Sequence, residues 1–183
     1  MQAAKLFAGA LAVCVAVASQ AQAEAPKSGL KTGAFVNAFN VRDVTGPAKG
    51  TTLCYRCRYG GSPVVSIFAR EMDEKTVDLV KKVDAQIGKN SDMKAFVVLL
   101  TDDPDASEAK LAEVAKKNKI EHTPLTIFDG QAGPEAYQID KEADVTVLMW
   151  NSSRVKENFG FGKGKLGEKD IEGIVAAASK LTK

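Results

Sequence analysis

Three short apolar runs, residues 64–69, 95–100 and 124–128, alternate with stretches of helical periodicity, and this alternation constrains the fold more than any other feature of the chain. Each run is nearly continuous and bounded by turn residues, the signature of a strand buried on both faces of a parallel sheet. After the first, Met72, Thr76, Val80, Val83 and Ile87 recur at spacings of three and four. They predict an amphipathic helix that stops at Gly88. After the second, Thr101-Asp102-Asp103-Pro104 supplies an N-cap and a proline at the first helical position. The helix it opens should reach about Asn118, with Leu111, Val114 and Ala115 inward and Lys116, Lys117 and Lys119 complementing the dipole at its end.

Past the third run, Pro134-Glu135-Ala136-Tyr137 suits a short helix. Residues 145–150 and 155–159, separated by Asn151-Ser152-Ser153-Arg154, predict an antiparallel hairpin. A last helix buries Ile171, Ile174, Val175, Ala178 and Leu181. The order β-α-β-α-β, then β-β-α, defines an α/β chain whose mixed sheet is flanked by helices on both faces. Residues 24–62 precede this core as an N-terminal extension with one or two edge strands.

The chain opens with targeting features. Lys5 precedes an apolar stretch over residues 6–18, and Ala21-Gln22-Ala23 has the small-residue pattern of a signal peptidase site. Residues 1–23 are therefore expected to be a signal peptide, and the mature chain to begin at Glu24. The apolar stretch falls short of the roughly 20 residues that span a bilayer, so no stable membrane span is expected after cleavage. Cys14 lies inside that stretch behind Val13, where a lipoprotein signal would need a small residue. The expected destination is a periplasm or the cell exterior.

What remains is roughly 160 residues, a domain 24–183 large enough to bury a core without disulfide support. Its 25 Lys and Arg against 23 Asp and Glu are interspersed, which argues against nucleic acid as a partner. The Lys163-Gly164-Lys165 stretch reads as a solvated loop.

Two cysteines survive cleavage, in Cys54-Tyr55-Arg56-Cys57. Export permits a disulfide between them. A regular strand forbids one, because residues three apart stand about 10 Å apart and face opposite ways, so a bridge requires a turn or helical bend. Given that bend, Arg56 and Arg58 set positive charge beside both sulfurs and favour thiolate. Three uses stay open: a redox-active dithiol, a structural clip and half of a metal site.

A metal would need two further ligands. The chain has one histidine, His122, and no second C-x-x-C; Met72 and Met149 are soft donors whose usual place is a core. No metal or cofactor is assigned. Asp102, Asp103 and Asp105 gather at the sheet edge where α/β proteins bind ligands, but capping and solvation suffice to explain them. Tyr55, Tyr59 and Trp150 suit packing before recognition. Gly160, Gly162, Gly164 and Gly167 lack the strand and tight helix entry of a phosphate loop.

The element order over roughly residues 40–180, with the phrase Val41-Arg42-Asp43-Val44-Thr45-Gly46 ahead of the first core strand and Ile67-Phe68-Ala69 within it, resembles the thioredoxin-like superfamily in its exported TlpA-like and AhpC/TSA-like forms. The resemblance implies thiol–disulfide exchange with thiols or disulfides of exported proteins, here through Cys54 and Cys57. Two departures accompany it. The family sets its cysteines at the helix start after Phe68-Ala69, where this chain has Arg70-Glu71-Met72-Asp73, whereas Cys54 and Cys57 precede that strand. The family's cis-proline aligns with Ala143-Asp144-Val145, which has none; His122-Thr123-Pro124 is the alternative place for it. The rival to exchange is a non-catalytic binding module of the same fold with a structural disulfide.

Overall fold

The computed structural model of the chain describes residues 25–182. The expected signal peptide, Cys14 and the mature start at Glu24 lie outside the described residues. The elements in order are β1 (Val41–Asp43), β2 (Thr52–Leu53), α1 (Tyr55–Tyr59), β3 (Val64–Ala69), α2 (Glu74–Lys89), β4 (Lys94–Thr101), α3 (Pro104–Asn118), β5 (Leu125–Asp129), a 3-10 turn (Glu135–Tyr137), β6 (Val145–Asn151), β7 (Arg154–Phe161) and α4 (Glu168–Ala178). The strands form one sheet in the order β2-β1-β5-β4-β3-β6-β7. Its centre, β5-β4-β3, is parallel, and β6 and β7 add antiparallel beside β3. This is the mixed α/β sheet that the alternation of apolar runs predicts.

The two-residue period of the strands divides the core between the sheet's faces. Val65, Ile67, Ala69, Val97 and Leu99 join one cluster with Leu79 and Val83 of α2, Leu111 of α3 and Ile171 and Ile174 of α4. Val64, Phe68, Phe96, Val98 and Trp150 join another with Tyr55 of α1, Tyr137 of the 3-10 turn and Leu30 and Val36 of the N-terminal segment. Both faces are covered, but unevenly. The right-handed crossovers β3-α2-β4 and β4-α3-β5 step the same way along the sheet, which puts both long helices on one side, and β2-α1-β3 steps back, which puts α1 on the other.

Local chemistry accounts for the element ends. Asp73 and Asp103 cap α2 and α3 by accepting from the backbone N–H groups of Thr76 and Ala106. Gly88 does not stop α2, which continues to Lys89 and ends at Asn90. Its role is close approach: a Cβ there would stand 2.7 Å from the His122 ring. The hairpin turn is Ser152-Ser153, both at positive φ, the two-residue form whose twist matches the strands. All described peptide bonds are trans, so the alternative cis-proline at Pro124 does not occur. Pro124 leads into β5 beside β4, and β6 takes the place antiparallel to β3. Lys119, the C-cap of α3, sits in the left-handed region at φ 54°. Lys119→Gly is expected to stabilise the chain by about 1 kcal/mol in a urea melt, because glycine adopts that region without a Cβ clash.

Candidate functional site

Thr52, Arg42, Ile127, Leu99, Ala69 and Val145 are paired in one row across the sheet. Since β1 is antiparallel to both β2 and β5, β2 runs parallel to β3. Both strands therefore leave the sheet at the same edge. After β2 comes Cys54, the N-cap of α1, with Cys57 in the helix's first turn. The pair thus follows a strand and opens a helix after all. No local periodicity marks this junction, because β2 has only two residues and α1 five. Four strand spacings separate this junction from the β3–α2 junction, about 19 Å at ~4.8 Å per step.

The helical bend that a bridge requires is present. Cys54 and Cys57 are joined by a disulfide with Cα atoms 5.2 Å apart. The backbone N–H of Cys57 donates to Cys54 Sγ at 3.0 Å. Cys57 is exposed and Cys54 half-buried. A sulfur that accepts a backbone N–H is the better one to carry negative charge when the bond opens.

Beneath the pair, Tyr55 is buried and donates its hydroxyl to Asp43 Oδ2 at 2.8 Å. The same carboxylate accepts from the N–H groups of Gly46 and Ala48 at 2.7 and 2.8 Å, so a fully buried acid with three donors fixes the strand-and-turn phrase to the helix. A Cβ on Gly46 would lie 2.1 Å from the tyrosine oxygen, so only glycine fits. Tyr59 donates to the carbonyl of Ala95 at 3.1 Å. Burial pushes the Tyr55 phenol far above its ordinary range, with Asp43 adding to the shift, and burial does the same to Tyr59.

The two arginines of the motif part company. Arg56 donates through Nε to the Val36 carbonyl at 2.9 Å and through Nη2 to Ser153 Oγ at 2.8 Å, and its guanidinium lies over the Phe35 ring. Arg58 is exposed and near enough to Tyr55 and Tyr59 to lower their phenols' affinity for protons.

At the β3–α2 junction, Arg70 stands where the resemblance would place cysteines. Its guanidinium donates to the carbonyls of Ala143 (2.9 Å), Asp140 (3.0 Å) and Gln131. It clamps the loop before β6, where the resemblance would place a cis-proline. Beside it Glu71 pairs with Lys163 at 2.9 Å. Burial, with Glu71 nearby, raises the Asp144 carboxyl above its usual range.

The remaining sequence candidates are structural in their contacts. Asp102 accepts from the Gln131 N–H, Asp103 caps α3 and Asp105 pairs with Arg42 at 2.6 Å. Trp150 and Met149 are fully buried, and Met72 packs on the core ahead of α2. His122 is exposed beside the buried Asp84, whose carboxylate accepts the N–H groups of residues 121–123. Among the described residues no group of three His, Cys, Asp or Glu side chains is placed to hold a metal ion. No described helix is long and apolar enough to cross a membrane.

The architecture is the thioredoxin-like fold. Solved structures similar to it include peroxidoxin BcpB from Mycobacterium tuberculosis, with a TM-score of 0.59 and 17% identity over 84% of this chain and 99% of that one. The pneumococcal exposed lipoprotein thioredoxin from Streptococcus pneumoniae gives a TM-score of 0.56 and 16% identity over 79% and 99%. The yeast mitochondrial 1-Cys peroxiredoxin gives 0.59 and 10% over 84% and 76%. Neither a protein-family model nor a curated protein matches the sequence.

Proposed function

We propose that this chain is an exported thiol–disulfide exchange protein working through Cys54 and Cys57. The observation that carries the reading is the pair's position. It ends a strand parallel to the core strands and opens a helix, with the Cys57 N–H on Cys54 Sγ. A thiolate of a partner protein attacks the exposed Cys57 Sγ; the Cys54–Cys57 bond breaks and its electron pair leaves on Cys54 Sγ, which keeps the N–H bond. A second partner thiolate then attacks the mixed disulfide and releases Cys57. Two electrons pass from the partner dithiol, which becomes a disulfide, to the pair, which becomes a dithiol after taking up protons; the reverse sequence oxidises the pair. Arg58, exposed and without a carboxylate partner among the described ion pairs, supplies positive charge that favours the thiolates. Arg56 adds to that field from its fixed position.

Equilibration with glutathione buffers and mass-resolved alkylation should give a reduction potential within the roughly −120 to −270 mV of exchange proteins. In the same assay Cys54→Ser should accumulate a mixed disulfide on Cys57 several-fold more than Cys57→Ser does on Cys54, because the exposed sulfur meets the partner. A potential below about −300 mV would replace the reading with a binding module that keeps a structural clip. Arg70 is the observation favouring that rival, since it fills the family's reactive ground with hydrogen bonds to three carbonyls.

A further inference from the structure

Resting on that reading, we propose that Phe35, Arg56 and Arg154 form the surface on which the partner polypeptide docks, and that the docked segment carries carboxylates beside its reactive sulfur. Phe35 is 48% exposed, the one large apolar side chain left open to solvent among the described residues. Two guanidinium carbons flank its ring, Arg56 Cζ at 5.0 Å and Arg154 Cζ at 5.7 Å from the centroid. Arg56 lies between the two cysteines, so this patch is tied directly to the disulfide turn.

The patch is held in place before any partner arrives. Phe35 is bridged to Arg154 across the strand edge. Its neighbours are fixed by backbone bonds, from Val36 N–H to the Ser153 carbonyl (3.0 Å) and from Val155 N–H to the Ala34 carbonyl (3.0 Å). Arg56 uses Nε and Nη2 within the protein, while Arg154 gives only Nη1, to the Gly33 carbonyl at 3.3 Å. The other guanidinium nitrogens have no hydrogen-bond partner among the described residues. Neither arginine takes part in a described ion pair, although Arg42, by contrast, is matched with Asp105 and Glu108. Two guanidinium groups with no carboxylate partner among the described residues, set on an exposed ring, call for carboxylates. Ordered Arg and aromatic side chains also lose little conformational entropy on binding, which is why such groups anchor interfaces.

Two synthetic disulfide peptides of equal length, one with Asp and Glu around its cysteines and one with Lys, test this through the ratio of their exchange rates. The ratio cancels any change in the reactivity of the sulfurs themselves. At low salt the acidic peptide should react at least tenfold faster, and the ratio should fall below threefold in Arg154→Glu and shrink as salt is added. Phe35→Ala, which leaves both charges in place, should slow the acidic peptide several-fold. Equal rates for the two peptides, or an unchanged ratio in Arg154→Glu, would overturn the proposal. If neither peptide nor glutathione reacts, exchange itself fails, and polarisation of a labelled cysteine-free acidic peptide decides the patch alone. Binding that Arg154→Glu abolishes supports it; no binding overturns it. Capture by phosphatidylserine vesicles in preference to the acidic peptide, or a dimer that Arg154→Glu dissociates, would likewise overturn it, giving the surface to lipid or to a second copy.

Discussion

Replacing Asp43 with alanine is expected to cost about 3 kcal/mol, a large effect for one small side chain. The carboxylate is fully buried and takes three hydrogen bonds, from Gly46 N–H, Ala48 N–H and the Tyr55 hydroxyl. Each donor left without an acceptor costs about 1 to 3 kcal/mol when it stays dry, and the half-buried turn recovers part of that from water. Tyr55→Phe removes a donor together with its bond and should cost only about 1 kcal/mol. Adding Tyr55→Phe to Asp43→Ala should therefore cost less than the sum of the two, since no orphaned hydroxyl remains. Urea unfolding followed by Trp150, the chain's single and fully buried tryptophan, measures all three. Because α1 is anchored here, Asp43→Ala should also slow exchange at the pair. A loss below about 1 kcal/mol would mean that the turn, not the acid, holds the helix.

The core of the fold was legible because its elements are long enough to show a period. β3 and β4 are six and eight residues, and α2 and α3 sixteen and fifteen, and each carries its own capping or turn chemistry. The site was legible in its cysteines and in Arg56 and Arg58 beside them, and not in what anchors them. The phrase around Asp43 reads as a strand and turn, and nothing in it announces that the aspartate reaches a tyrosine twelve residues on. A five-residue helix has no periodicity to detect. Arg70 was visible as an occupant of the family's reactive ground, but its bonds run to residues 61 to 73 positions away, beyond any local pattern. Phe35 and Arg154 meet only because the N-terminal segment lies along the hairpin turn.

Two different arrangements stand at the same end of the sheet. The β3–α2 junction, with Arg70 clamping three carbonyls, is held rigid by hydrogen bonds. The β2–α1 junction carries the disulfide, at the sheet's margin, next to an exposed aromatic ring and to arginines that have no carboxylate partner among the described residues. The disulfide is a weak staple for its position. It closes a loop of only four residues, for which chain entropy gives about 2 kcal/mol, the low end for a native bridge. Reducing it would therefore leave the long helices and the parallel core standing.

Raising the pH from 9 to 11 should remove about 3 kcal/mol of stability through two tyrosines alone. Tyr55 and Tyr137 are fully buried, and each donates its hydroxyl, to Asp43 and to the Asn37 carbonyl respectively. Burial raises both phenols well above their ordinary range. The folded chain therefore keeps two protons that the unfolded chain releases near pH 10, so the unfolded state binds fewer protons and stability falls as pH rises past that value. Below pH 9 this contribution is fully present and flat. At pH 11 the unfolded chain gains about 1.4 kcal/mol for each phenol that stays protonated in the folded chain at that pH. Urea melts at pH 9 and 11 should show the loss, and the Tyr55→Phe, Tyr137→Phe double variant should lose about 3 kcal/mol less between the two pH values, even though it starts from lower stability. Lysine neutralisation acts on both proteins alike, so the difference isolates the phenols. An equal pH loss in the two proteins would show that these hydroxyls ionise in the folded chain as readily as in water, and that the hydroxyl of Tyr55 does not lock α1 to β1 as a neutral donor.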